Sequence, residues 1–402
     1  MAARTAGLMP HGRKPGGCYT GAYKEGMLTS AERRQGRYER RKAEREAKRK
    51  MKIGGFDNFD RVADLDNLNL SFKQAKKIVH WKESVQRYEM NRIANIIEAR
   101  RKLIAGENVQ EGFIRFTLRE RGKIRNIRGI QIAERVIQKC LCDQVLVPIL
   151  SRPLIHDNGA SLKGKGVMFS VRRLIAHLSR YFRQNGSNEG YALMIDFKGY
   201  YDNVDHDILI AMLRDQIKDR RVMELTERFI RVFGDGKALG LGSQVSQIVA
   251  IYFPNILDHF IKEKLRIRFY GRYMDDLYLL HNDKQFLKYC LTEIQKVCET
   301  LKITVNLKKT RITKLSDGLI FLKGKYSLLD TGKVLRLPCR DSPIRMKRKL
   351  KKFKTLLEAG KMSFMDIRNA YQSWRGAFKK RFQAYKKVSK IDAYYDLLFI
   401  HN

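Results

Sequence analysis

Apolar residues recur along this chain with two different periods. From 56 to 110 the spacing is helical: Ile78, Trp81, Val85, Tyr88 and Ile93, then Ile96, Ile97 and Leu103. Over 113–130 the period drops to two. Phe113, Arg115 and Thr117 alternate with Ile114, Phe116 and Leu118 before a charged turn, which predicts a β-hairpin. Helical spacing returns over 131–150, with Val136, Cys140 and Val147 on one side, and again over about 167–184. YALMIDF (191–197) reads as an apolar strand ending in an acid, followed by a mostly helical stretch to about 232. A glycine-rich turn (234–244) leads into an apolar helix at 245–265. RFYGRYMDDLYLLH (268–281) predicts strand, tight turn, strand. Next come a helix at 283–301 with Phe286, Tyr289, Ile294 and Val297 on its apolar side, and a strand at 302–307. A hairpin joined by Asp330-Thr-Gly fills 318–337, and helices dominate from 343. The order strand, helices, hairpin, helix, strand predicts an α+β fold, a split βαβ sheet with helices on one face.

Charge changes the picture. The 402 residues include 82 Lys and Arg against 42 Asp and Glu, a net charge of +40, yet 44% are hydrophobic. Such a chain can bury a core and is not a disordered polycation. The excess is held best against a polyanion: nucleic acid first, an anionic membrane surface second. The longest apolar run, Ile248 to Ile256, is broken by Pro254 and far too short to span a bilayer. The first 17 residues have no apolar core of a secretory signal, and Cys18, Cys140, Cys142, Cys290, Cys298 and Cys339 form no CxxC pair. Free thiols and a cytoplasmic location are the expectation. Residues 31–52 carry eleven basic and four acidic side chains with no apolar stripe, the mark of a solvated helix or arm that orders on a polyanion. Residues 336–390 carry eighteen basic and three acidic. There Leu350, Phe353, Leu356 and Leu357 would form one helix face, and Lys347, Arg348, Lys351, Lys352 and Lys354 a cationic one.

Tyr273-Met274-Asp275-Asp276 sits between two apolar strands. Adjacent acids at such a tip repel one another unless a cation lies there. If the strand ending in Asp196 joins the same sheet, Asp196 and Asp275 face one pocket. Carboxylates so placed bind Mg²⁺, which takes few carboxylates plus water and phosphate oxygens. Two such ions can activate a 3′-hydroxyl and stabilise a pyrophosphate leaving group.

With these motifs the chain resembles the reverse transcriptases of bacteria and phages over about residues 56–400. The resemblance implies a right-hand polymerase. A flexible basic arm (1–55) precedes helices and fingers (56–190), a palm (191–335) and a helical basic thumb (336–402). It implies Asp196, Asp275 and Asp276 as the catalytic acids holding two Mg²⁺, with Mn²⁺ as a substitute. Lys123 and Arg125 of RGKIRNI resemble the residues that hold the incoming triphosphate. Asp196-Phe-Lys-Gly-Tyr-Tyr201 resembles the first catalytic motif, with Tyr201 as the gate that excludes a 2′-hydroxyl. Leu241-Gly242-Ser-Gln-Val-Ser246-Gln247 departs from the Gln-Gly-x-x-x-Ser-Pro of many relatives. This variant resembles the enzymes of diversity-generating retroelements, so Gly242, Ser246 and Gln247 would line nucleotide and template with relaxed fidelity. Lys309 of Asn306-Leu-Lys-Lys-Thr is similar to a lysine that protonates pyrophosphate, and Phe321-Leu322-Lys323-Gly324 looks like the primer grip. The implied partners are an RNA template, its DNA product, dNTPs, a structured non-coding RNA and an accessory subunit, with no membrane. The alternatives are an anti-phage defence reverse transcriptase copying its own RNA, and a catalytically inactive RNA-binding protein.

Overall fold

The computed structural model describes residues 29–120, 123–339, 341–382 and 385–400. The chain divides into two units, Met1–Lys52 and Ile53–Asn402. The first carries all but the last two residues of one long polar helix, α1 (Ser30–Gly54), opened by Glu32 and Thr29, which bond each other's backbone N–H.

The second unit begins with three helices, α2 (Leu65–Ala75), α3 (Glu83–Met90) and α4 (Arg92–Ile104). Asp64 caps α2 by accepting from the Asn67 amide. Val85, Tyr88, Ile96 and Leu103 are buried, but Ile78, Trp81, Ile93 and Ile97 are exposed. The helix-like spacing does not carry through: Ile78 ends a 3₁₀ turn, Trp81 lies in the loop before α3, and the chain breaks again at Asn91 between α3 and α4. The hairpin of β1 (Phe113–Glu120) and β2 (Lys123–Ile130) pairs Phe113 with Ile130 and Glu120 with Lys123. Behind it, the expected helix over 131–150 forms as α5 (Ile132–Leu141), a π-turn at Cys142–Leu146, and the short α6 (Val147–Leu150).

Helix α7 (Val167–Asn185) feeds β3 (Tyr191–Asp196), followed by α8 (His206–Gln216) and α9 (Arg220–Arg231). The apolar helix 245–265 is broken at Phe253-Pro254 into α10 (Gln244–Tyr252) and α11 (Asn255–His259), with a π-turn after it. Next come β4 (Phe269–Tyr273), β5 (Asp276–His281), α12 (Lys284–Thr300) and β6 (Arg311–Lys314). The four strands form one antiparallel sheet in the order β4-β5-β3-β6. Leu193, Ile195, Leu277 and Leu279 point into one core; Ala192, Met194, Tyr278 and Leu280 point into another. Both faces are therefore covered, α12 joining the first core and α7 the second. This corrects the expectation of helices on one face: unbroken apolar strands need cover on both sides.

The strand expected at 302–307 lies later, at β6. Its alternation is real, because Ile303 is buried and Val305 bridges Phe197. But Lys302 is left-handed (φ 53°) and Asn306 to Lys309 turn back, so only one bridge forms. The hairpin expected over 318–337 is a three-stranded sheet, β7 (Leu319–Phe321), β8 (Gly324–Leu328) and β9 (Val334–Pro338). Three helices complete the unit: α13 (Asp341–Glu358), α14 (Phe364–Arg381) and α15 (Tyr385–Phe399). Leu350, Ile367, Tyr371 and Tyr395 form their core, while Lys347, Arg348, Lys351 and Lys352 are exposed and Lys354 is half-buried. On α12 the buried residues include Leu287, Cys290 and Ile294, and Tyr289 faces solvent. Among the described residues no helix is long and apolar enough to cross a membrane.

Candidate active site

The sheet brings the three acids together. Asp196, the last residue of β3, is the register partner of Asp276, the first of β5. Met274 and Asp275 make the two-residue turn between β4 and β5, and Met274 takes φ 55°. A non-glycine residue held there is strained, so the surroundings must fix it. They do so through Arg272, which is fully buried. Its guanidinium donates to the Met274 carbonyl (3.1 Å), to the Ile251 carbonyl (2.8 Å) and to both carboxylate oxygens of Asp258 (2.8 and 2.6 Å). Tyr270 also donates to Asp258, and the loop 157–159 pairs with the backbone of Arg272. Neither Arg272 nor Asp258 stands out as a motif. Their only mark in the sequence is a lone charge within an apolar strand and within an apolar helix.

Lys309 lies on Asp196, donating to both oxygens at 2.7 and 2.8 Å, and the Asn306 side chain adds a bond of 2.9 Å. The Asn306 amide also bonds the Asp196 carbonyl (2.8 Å), which places the 306–309 turn beside the end of β3. Burial, then the charges of Asp275 and Asp196, push the Asp276 carboxyl up to about 7, with Lys309 pulling it down. Among the described residues no group of three or more His, Cys, Asp or Glu side chains is gathered so as to hold a metal. The donors are nevertheless all carboxylate oxygens in a mutually repelling set, which suits a hard divalent ion completed by water and phosphate.

Tyr201 stands next to this turn. Its hydroxyl is 4.0 Å from Met274 Sδ and its ring meets Tyr200 edge-on. Burial and the nearby Asp275 push its phenol up to about 12. Gly199 supplies the left-handed residue (φ 55°) that swings the chain from β3 toward it. The backbone of Tyr201 accepts from Leu239, tying it to the glycine-rich loop. At the end of that loop Gly242 (φ 113°) approaches the β2 backbone: a Cβ there would stand 3.5 Å from the Arg128 carbonyl. Gly242 and Gln247 line a polar cavity of about 330 Å³ with Gln74, Arg135, Gln138 and Gln244. Ser246 is fully buried instead, its hydroxyl accepting from the Gly240 amide (3.0 Å), so it shapes the loop from within. Ser243, not singled out from the sequence, caps α10 and donates to Gln138 (2.9 Å). Lys123 and Arg125 have their backbone in β2; their side chains lie outside the described residues.

Phe321 is buried in the core, and Leu322 and Lys323 form the turn from β7 to β8, with φ 47° and 71°. Two left-handed residues make the tight hairpin turn that Asn-Gly serves best. Gly324 is required, since a Cβ would fall 2.6 Å from the Tyr326 hydroxyl and 2.8 Å from the Phe382 ring. Arg381, at the end of α14, donates to the Leu322 carbonyl. Leu322→Asn combined with Lys323→Gly should therefore raise stability by about 1 kcal/mol, read as a higher denaturation midpoint. A lowered midpoint would mean that the native side chains are worth more than the strain.

A family model described as "Reverse transcriptase (RNA-dependent DNA polymerase)" matches residues 118–365. No curated protein sequence matches the chain. Among solved structures the chain is similar to telomerase from Candida albicans in complex with a TWJ fragment of telomeric RNA. Identity is 13% and the TM-score 0.46, covering 73% of this chain and 59% of that one. It is also similar to apo telomerase from Candida tropicalis (13% identity, TM-score 0.45, 71% of this chain, 59% of that one). A form of the latter truncated from its C-terminal domain aligns at 13% identity and TM-score 0.43, over 55% of this chain and 54% of that one. The chain spans less than two thirds of the length of each of these structures.

Proposed function

This chain belongs to the reverse transcriptase family, and from that premise we propose that it copies RNA into DNA by nucleotidyl transfer at Asp196, Asp275 and Asp276. The observation that carries the reading is the meeting of Asp196 and Asp276 across β3 and β5, with Asp275 on the strained turn beside them. In this reading β1–β2 and the N-terminal helices are fingers, the four-stranded sheet is the palm, and α13–α15 are the thumb. Asp196 and Asp275 would hold Mg²⁺, with Asp276 supporting them; bound there, the ions would supply the positive charge that favours a 3′-hydroxyl nucleophile and a pyrophosphate leaving group. Phosphoryl-type transfer needs mainly positioning and charge neutralisation, which is what the other residues provide. Lys123 and Arg125 hold the triphosphate, and Gly242 and Gln247 border the nucleotide and template from the polar cavity. Lys309 starts on Asp196 and carries a proton that it can deliver to pyrophosphate. The Leu322-Lys323 turn seats the primer end, and Lys347, Arg348, Lys351, Lys352 and Lys354 meet duplex phosphates.

The test is Mg²⁺-dependent extension of a DNA primer on an RNA template. Extension with dNTPs is expected; RNA binding without any extension would favour an inactive RNA-binding protein. Tyr201 packs against Met274 of the catalytic turn, so Tyr201→Ala should raise ribonucleotide use by about 10- to 100-fold relative to dNTPs, a loss of discrimination of about 1–3 kcal/mol. Unchanged discrimination would remove Tyr201 from the sugar site.

Leu241-Gly242…Ser246-Gln247 favours a diversity-generating role with a dedicated template-repeat RNA. Sequencing the co-purified cDNA checks this: substitutions confined to template adenines support it, and faithful copies of one structured RNA point to defence.

A further inference from the structure

From 30 to 50 α1 carries no apolar stripe, and over residues 32–41 its charge is sorted around the axis. At 3.6 residues per turn, Arg33, Arg34, Arg37, Arg40 and Arg41 fall within an arc of about 120°, while Glu32 and Glu39 fall on the opposite side. Glu44 is on the same arc, beyond its C-terminal end. All five arginines are exposed, and among the described residues no carboxylate pairs with any of them. The Nε atoms of Arg37 and Arg40 donate back to the Arg33 and Gly36 carbonyls (3.2 and 3.3 Å), which lays both guanidinium groups along the helix surface. Tyr38 borders the ridge and is 62% exposed. The family match covers residues 118–365 and does not include this helix.

We propose that the Arg33–Arg41 ridge of α1 is a docking surface for folded RNA with unpaired bases, distinct from the template–product duplex. The choice of cation carries the distinction. From 33 to 41 every basic residue is Arg, whereas Lys347 to Lys354 holds five Lys and one Arg. Lysine is a compact point charge suited to tracking phosphates of any regular duplex. Arginine adds a planar fork that grips phosphate with two bonds and stacks on exposed bases. Bulges and loops of folded RNA offer both, and Tyr38 adds a stacking ring at the edge. A lipid surface fits less well, because from 30 to 50 the sequence holds Tyr38 as its single large apolar or aromatic residue. The inference rests on the polymerase reading only in taking RNA as the natural partner.

The experiment uses the full chain and three probes of about thirty nucleotides: a bulged RNA hairpin, an unstructured RNA, and the DNA version of the hairpin. Binding is followed by fluorescence anisotropy over a salt series. In Arg33→Gln/Arg37→Gln/Arg40→Gln/Arg41→Gln, affinity for the RNA hairpin should fall at least about 10-fold. The slope of log K against log salt should drop by about 3 to 4, one phosphate contact per arginine. Binding to unstructured RNA should hold. The corresponding all-Lys variant should keep the salt slope and lose the preference for the bulged RNA. Glu32→Gln/Glu39→Gln, on the opposite face, should leave the hairpin affinity unweakened. An unchanged circular dichroism spectrum and thermal midpoint establish folding, so the outcome does not depend on polymerase activity. Wild-type hairpin binding by the Gln variant overturns the proposal. So does an equal loss on the DNA hairpin.

Discussion

Asp275→Asn should lower primer extension by about three orders of magnitude, which corresponds to about 4 kcal/mol of lost transition-state stabilisation. Asp275 sits on the two-residue turn between β4 and β5, and its charge helps push Asp276 up to about 7. An amide there keeps the shape of the side chain and removes one of the negative charges that would attract a divalent ion. Affinity for an RNA–DNA duplex should stay within about twofold of wild type, because binding strength comes from lysine and arginine on phosphates. Single-turnover extension and anisotropy on the same duplex separate the two quantities. Full extension by this variant would sink the assignment of the three acids.

The second large effect is on stability. Arg272→Met should cost about 3–5 kcal/mol, the penalty for leaving a buried charge without its partner. Both Arg272 and Asp258 are inaccessible to solvent, and Asp258 accepts from Arg272 through both oxygens. Denaturant unfolding measures the loss. Adding Asp258→Leu should restore much of the stability, since an apolar pair of similar volume can replace a buried ion pair. It should not restore extension, because the Met274 carbonyl still lacks its donor. A single variant as stable as wild type would mean that Asp258 finds another cation. Full activity in the double variant would mean that the turn does not need Arg272.

Strands β3 and β5 were readable because each combines an unbroken apolar run with an acid at its end. No feature of one strand, however, announces that the run is covered from both sides. Arg272 and Asp258 escaped because a lone buried charge has no pattern of its own; only the fold shows that residues 14 apart in sequence meet in the core. The 302–307 strand was misplaced for a different reason. Ile303 and Val305 alternate as a strand should, but the left-handed Lys302 and the turn from Asn306 leave room for a single bridge. For Ile93 and Ile97, periodicity reported helix without reporting whether anything packs on that face, while Ile78 and Trp81 fall in the 3₁₀ turn and loop before α3. Lys309 was legible as a motif, whereas its bond to Asp196, 113 residues away, was not.

The tie from Met274 through Arg272 to Asp258 also bears on how the molecule opens. Exposed turns usually exchange their amide hydrogens through local fluctuations that leave the rest of the fold intact. Here the turn's carbonyl is fastened to a guanidinium that cannot leave without uncovering a buried carboxylate. The amides flanking the catalytic tip should therefore exchange with the slow, cooperative class of the surrounding sheet. On heating, catalysis should persist up to the global transition and vanish with it.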